Sequence, residues 1–260
     1  MFCSLSQLHL AMKGMALMGL VVFIALYFVD AGYGKFHNDK WGYSINNKLG
    51  WFLMEFPALI PISLLVANAL TANASPNALQ ILFISLYAFH YCYRSFVFPR
   101  LLKGKSKMPL AIILMGALFN TINSSLIGVC VITLPKPEYL SLGTYLSGWN
   151  FWLGIILFFN GMYTHMKADH IIRNLRKPGD TNHYLPTGGM FNYVTSANYL
   201  GELMEWTGFA ILTNNPASWM FVWWTAANLI PRAHAIHKKY RQEFGEEKVG
   251  KRKRIIPFLY

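Results

Sequence analysis

Charge is what this chain has least of: 13% of its 260 residues are Asp, Glu, Lys or Arg, against roughly a quarter in soluble domains. That deficit excludes a water-exposed surface over most of the molecule. Cysteine is nearly absent too, and Cys3, Cys92 and Cys130 are scattered, odd in number and without CxxC spacing. Neither a disulfide framework nor a zinc site follows, and a packing role is expected. No G-x-G-x-x-G follows a strand pattern and no G-x-x-x-x-G-K occurs, which excludes the standard nucleotide folds; Gly188-Gly189 alone is a weak signal. Repeats at a fixed period and low-complexity tracts are missing, so residues 1–260 are expected to form one domain. No small-x-small cleavage site follows the first apolar run, at Asp30-Ala31-Gly32-Tyr33, and that run is expected to stay as a helix.

What the chain has is apolar length. Hydrophobic residues make up 54%, and apolar runs recur at Leu10–Phe28, Trp51–Leu70, Ala78–Val97, Pro109–Thr133, Leu146–Met166, Val194–Leu212 and Ala217–Ile236. Each is near the ~20 residues that cross a bilayer as a helix. A soluble helix would interrupt such runs with charge on its exposed face. The spacing predicts an all-α membrane protein of seven transmembrane helices.

The basic residues orient it. Lys35, Lys40 and Lys48 follow the first run; Arg94, Arg100, Lys103, Lys105 and Lys107 follow the third; Lys167, Arg173, Arg176 and Lys177 follow the fifth; most of the rest lie beyond the seventh. The positive-inside rule makes that side cytoplasmic, with the N-terminus outside and the C-terminus inside. The formal charge of +12 is thereby topological. No recognition helix or stacking platform points to nucleic acid, whereas anionic headgroups of membrane lipid suit the same residues. The tail from Arg241 to Arg254 reads as a solvated or headgroup-facing segment. The connection from Asn174 to Tyr193, rich in Pro, Gly, Asn and His, is a candidate ligand-covering loop.

Ionisable groups inside apolar helices are costly and mark pathways or sites. Glu55 lies about a turn inside the second run, and its structural alternative is an ion-pair partner from another helix. Tyr87, Tyr91 and Arg94 share a face of the third run beside His90. Glu55 and Tyr91 fall at similar depth, within reach of a hydrogen bond. His165, Asp169, Arg173 and Arg176 form one polar stripe. Asn198, Glu202 and Glu205 form another before Trp206, where the two glutamates repel unless a cation, a proton or a ligand hydroxyl separates them. Arg232, His234, His237 and Tyr240 close the seventh run, and no third ligand at metal spacing accompanies the two histidines, so no metal is expected. The cluster at one end would let a polar cofactor from the cytoplasm meet an apolar substrate from the bilayer.

In order along the chain stand Trp51-Phe-Leu-Met-Glu55, His90-Tyr-Cys-Tyr-Arg-Ser-Phe96, Leu175-Arg-Lys-Pro-Gly179, Pro186-Thr-Gly-Gly-Met-Phe191, Ala197-Asn-Tyr-Leu-Gly-Glu-Leu-Met-Glu-Trp206 and Ile256-Pro-Phe-Leu-Tyr260. Together, over nearly the whole chain, these resemble the steroid 5α-reductases. The resemblance implies NADPH-dependent reduction of the Δ4 double bond of a 3-oxosteroid, with hydride delivered to C5 and with Glu55 and Tyr91 as catalytic residues polarising the 3-keto oxygen. It implies that Arg94, Asp169, Arg173, Arg176, Asn198, Glu202, Arg232, His237 and Tyr240 line the NADPH site, with Lys105 where a phosphate-binding arginine is usual. Four positions depart from the family pattern: Met54 for a frequent Gln, Met115 for Arg, His165 for Asn and His183 for Tyr. His165 and His183 are expected on the cofactor, and Trp51, Met54 and Met115 on a steroid or related apolar lipid.

Rival readings are reduction of another unsaturated lipid, such as an enoyl thioester or polyprenol, a membrane methyltransferase using S-adenosylmethionine, and a lipid-binding or transport protein. No inverted repeat or broken-helix pair supports transport. A monomer is expected, in a bacterial inner membrane for a bacterial source or the endoplasmic reticulum for a eukaryotic one, with the active site facing the cytoplasm.

Overall fold

The computed structural model describes residues 5–29, 41–103, 106–175 and 182–260. Cys3, Lys35, Lys40, Lys105, Arg176 and Lys177 lie outside them. The protein is an all-α membrane protein, and among the described residues four helical segments are long and apolar enough to cross a bilayer: Leu5–Ala25, Asn47–Thr71, Ala78–Leu101 and Leu110–Thr133, with mean hydropathy of 1.9, 1.8, 1.3 and 1.8. They coincide with the first four expected spans. The chain divides into two compact units.

The first unit comprises Met1–Met12, Gly32–Leu153 and Ala210–Trp219. α1 (Leu5–Ala25) begins in it. A short antiparallel pair not expected from the sequence, β1 (Ser44–Asn46) with β2 (Lys107–Pro109), ties together the entries to two helices, with Ile45 opposite Met108. α2 (Asn47–Glu55) is capped by the Asn46 side chain and leads through one tight turn at Phe56–Ala58 into α3 (Leu59–Thr71). Pro57, with no N–H to give, is the reason the turn tightens there. α4 (Ala78–Cys92) starts with a reciprocal cap: Gln80 N donates to the Asn77 side chain at 3.0 Å, and Asn77 N to the Gln80 side chain at 2.8 Å. It widens into a π turn at Tyr93–Val97 ahead of Pro99 in α5 (Phe98–Leu101). α6 (Leu110–Gly128) packs along α2 and α3. Met54, Met108, Ile112 and Ile113 form the apolar core there. After α6 come α7 (Leu142–Ser147) and the first turn of α8 (Trp149–Asn174).

The second unit comprises Lys13–Ala31, Gly154–Phe209 and Met220–Tyr260. Its core gathers Ala168, Phe191, Val194, Ala197, Leu200, Leu229, Ala233 and Ile255. These come from α8, α9 (Ala197–Thr213), α10 (Pro216–Phe244) and the segments around 191–194 and 255. α8 and α9 meet backbone to backbone. A Cβ on Gly161 would stand 2.7 Å from the Cα of Glu205, and one on Gly201 2.7 Å from the Cα of His165. Only glycine permits that approach, the same use of small residues that brings membrane helices together.

The tail differs from the expected solvated segment. Past α11 (Glu246–Val249) it turns back: Lys253 N donates to Tyr193 O at 2.8 Å, Thr195 N to Lys253 O at 2.9 Å and Ser196 N to Arg254 O at 3.1 Å. Ile255 is wholly buried. Burying that side chain and pairing three donors outweigh the solvation lost along the tail.

Candidate active-site groups

In the first unit, the end of α2, the π turn and the middle of α6 converge on Glu55. The carboxylate is buried, and its Oε1 accepts from the Arg94 guanidinium at 3.4 Å. That guanidinium lies 4.4 Å from the Trp51 ring centroid and 4.5 Å from that of Phe98. A flat, delocalised cation against two aromatic rings loses little by leaving water. Arg94, expected on the cofactor, thus makes its described contacts with Glu55 and the two rings. Glu55 Oε2 accepts from Asn120 Nδ2 at 3.2 Å, and Tyr91 Oη donates to Asn120 Oδ1 at 3.1 Å. Glu55 and Tyr91 are therefore joined through an amide on a third helix. Tyr87 packs on Tyr91 with ring centroids 4.7 Å apart. Met54 is buried against the core, Trp51 is partly covered, and Met115 is half exposed on α6.

The second unit holds the other cluster. His165, fully buried on α8, points Nε2 at Asp169 Oδ2 (3.1 Å) and Glu202 Oε1 (3.5 Å), and Nδ1 at Glu205 Oε2 (3.7 Å). One imidazole thus stands among three carboxylates, and it supplies the separation that Glu202 and Glu205 require. Only an imidazolium offers a donor at both nitrogens. The backbone approach at Gly161 and Gly201 sets this ring against α9.

Nearby, Thr195 Oγ1 lies 3.2 Å from His237 Nδ1, and the Arg232 guanidinium sits 5.3 Å from the Tyr199 ring. His237 lies just past the seventh apolar run. Burial first, then Arg241 and Arg254, pull its pKa down to about 4. The ring is neutral at neutral pH and serves as a hydrogen-bond partner, not a cation. Tyr240 is buried, and burial raises its phenol above the ordinary range. Asn198 and Arg173 are partly buried. His183 stands apart, its Nδ1 2.6 Å from Glu243 Oε1.

The structure brings His165 and Asp169 of one stripe against Glu202 and Glu205 of the other, a pairing the sequence did not assign, and it adds further groups. Asn120 has a signal: with Asn123 it makes an i, i+3 amide pair, buried in a helix without a charged residue. Ser196 and Arg254 had none, because nothing local shows that the tail returns to residues 193–196.

Buried acid, phenol, amide and imidazole groups held within apolar helices define a membrane-embedded enzyme. A family model described as 3-oxo-5-alpha-steroid 4-dehydrogenase matches residues 106–260. The chain is 34% identical over 256 residues to steroid 5-alpha-reductase DET2 of Gossypium hirsutum, covering 97% of each protein. It is 34% identical to 3-oxo-5-alpha-steroid 4-dehydrogenase 1 of Bos taurus over 251 residues and 93% of each, and 33% identical to the Homo sapiens protein of the same name over 249 residues. The chain belongs to the 3-oxo-5-alpha-steroid 4-dehydrogenase family and is an oxidoreductase.

Proposed function

We propose that this protein reduces the Δ4 double bond of 3-oxo-Δ4-steroids with NADPH, giving 5α-reduced 3-oxosteroids, and that Glu55 and Tyr91 polarise the C3 carbonyl. The observation that carries the reading is the buried Glu55–Asn120–Tyr91 chain. An enone becomes an acceptor at C5 when negative charge growing on O3 is met by a pre-aimed donor in a dry site. Tyr91 has such an O–H. The nicotinamide, when bound, supplies hydride to C5. As it does, the C4=C5 π pair moves to C3–C4 and the carbonyl π pair moves onto O3, and the resulting enolate takes a proton at C4 from water.

Residues of the second unit suit NADPH. Ser196 Oγ, just before α9, and Arg254 Nε, of the residue whose carbonyl accepts from Ser196 N, are buried without a hydrogen-bond partner among the described residues. A helix start with a spare hydroxyl and a guanidinium matches a phosphate group. Arg173, Arg232, His237 and Tyr240, with Lys105 and Arg176 outside the described residues, serve the same group. Asn198, Asp169, Glu202, His165 and His183 serve its polar ribose and base. Trp51, Met54 and Met115 face the steroid. We further propose seven membrane crossings, N-terminus outside and C-terminus cytoplasmic, with a cytoplasm-facing active site, a single working copy and no nucleic-acid partner.

Purified protein in detergent should consume the enone absorbance of a testosterone- or progesterone-like substrate with NADPH. Glu55→Gln and Tyr91→Phe should each cut turnover by about a hundredfold or more while NADPH still binds. Turnover of an enoyl thioester or polyprenol without any 3-oxo-Δ4-steroid reduction would overturn the substrate; normal rates in either variant would overturn the mechanism.

A further inference from the structure

Asn120 holds three partners at once. Nδ2 donates to the Met54 carbonyl at 2.8 Å and to Glu55 Oε2 at 3.2 Å, and Oδ1 accepts from Tyr91 Oη at 3.1 Å. The Met54 carbonyl is an obligate acceptor, so the amide nitrogen must be the end that faces it. The flipped amide would set oxygen against oxygen. With the amide fixed, the rest of the network has one polarity. Both Nδ2 protons are committed, one of them to Glu55. Glu55 accepts a hydrogen bond from Asn120 on one oxygen and from Arg94 on the other. Oδ1 has only lone pairs to offer, so the phenol must donate to it.

We infer that Asn120 is a positioning residue, which parks the Tyr91 O–H on its own carbonyl oxygen and keeps the phenol from handing that proton to Glu55. The inference rests on the proposed reduction. A phenol donating directly to the Glu55 carboxyl group would be held by the strongest acceptor in the site, which would compete with O3 of the substrate. An amide oxygen is a weaker acceptor than a carboxylate. A phenol donating to it releases the hydrogen bond more cheaply when a carbonyl turning into an enolate arrives. Asn120 thus keeps the donor aimed and available, while the same side chain pins the carboxylate and the backbone that carries it.

A side chain that only filled space would tolerate another of its volume. Asn120→Leu keeps the size and removes all three bonds; Asn120→Ser keeps a polar group on α6 but is too short to bridge Glu55 and Tyr91. Each folded variant, judged by its melting temperature and NADPH binding, should lose about 10- to 100-fold in kcat, with KM for the steroid and for NADPH within about twofold of the starting value. On a Tyr91→Phe background, followed by single-turnover assays, adding either change should cost clearly less than it does alone, because the hydroxyl it positions is gone and only its hold on Glu55 and the Met54 carbonyl is left to lose. Three outcomes would overturn the inference: kcat within about threefold of wild type in a folded variant, a loss confined to KM, or losses that multiply fully with Tyr91→Phe. If wild-type protein reduces a different unsaturated lipid, the steroid reading fails by itself, and the Asn120 comparison is read on that substrate.

Discussion

His165 shows how much can rest on one side chain. Its ring is fully buried and faces Asp169, Glu202 and Glu205. Removing one partner from a buried ionic cluster leaves charge that nothing compensates, at a cost of about 3–5 kcal/mol. His165→Leu should therefore lower the melting temperature of the detergent-solubilised protein by several degrees or prevent its isolation. His165→Asn, which keeps two N–H donors but not the positive charge, should melt below wild type and above the leucine variant. Equal stability of the leucine variant and wild type would show that the three carboxylates are compensated by other groups. At this scale the sequence was informative about identity and poor about pairing. The Glu202–Glu205 spacing demanded something between them, but no local rule names a histidine some 40 positions earlier. The same holds for Glu55: a buried acid among Phe52, Phe56 and Pro57 calls for a partner, and only the fold assigns Arg94 and Asn120 to its two oxygens.

Elements were legible where the apolar period was long and lost where backbone geometry took over. The first four expected spans match helices because each is an uninterrupted run. α8 continues to Asn174, eight residues past the expected end at Met166, since its polar stripe is helical as well and apolar content does not mark where hydrogen bonding stops. The β1–β2 pair was missed because three residues carry too little alternation to read. The close meeting of α8 and α9 is written in Gly161, Gly201 and Gly208, but glycine spacing gains meaning only once the opposing backbone is known. Gly201→Ala would drive a methyl group into the backbone at His165, where no side-chain rotation relieves it. The helices must separate, and His165 must leave its place between the glutamates. The expected outcome is a loss of about 2–3 kcal/mol in stability, with weaker NADPH retention. Gly143→Ala, with nothing near the added carbon, is the control, and similar behaviour of the two variants would remove the glycine contact from the account.

For the whole molecule, the matter at stake is how many times the chain crosses. By length and hydropathy four described segments suffice, whereas the apolar runs and the sided distribution of lysine and arginine call for seven. The difference lies in α8, α9 and α10, the helices that carry His165, Asp169, Glu202, Glu205, Arg232 and His237. Polar side chains that satisfy one another, as His165 and its carboxylates do, lower a helix's mean hydropathy without meeting lipid, so an average over residues understates the fitness of such a helix to span. Lys136 precedes these three helices and Lys239 stands in the final turns of the third. Three crossings place them on opposite sides; none or two place them on the same side. With Cys3, Cys92 and Cys130 replaced by alanine and the protein expressed in a bacterial inner membrane, Lys136→Cys should react with a membrane-impermeant maleimide in intact cells, and Lys239→Cys should react only after permeabilisation. Labelling of both positions from outside, or of neither, would make the number of crossings between them even. The positive-inside assignment would then hold for the first half of the chain only, and the polar helices would lie along the membrane surface.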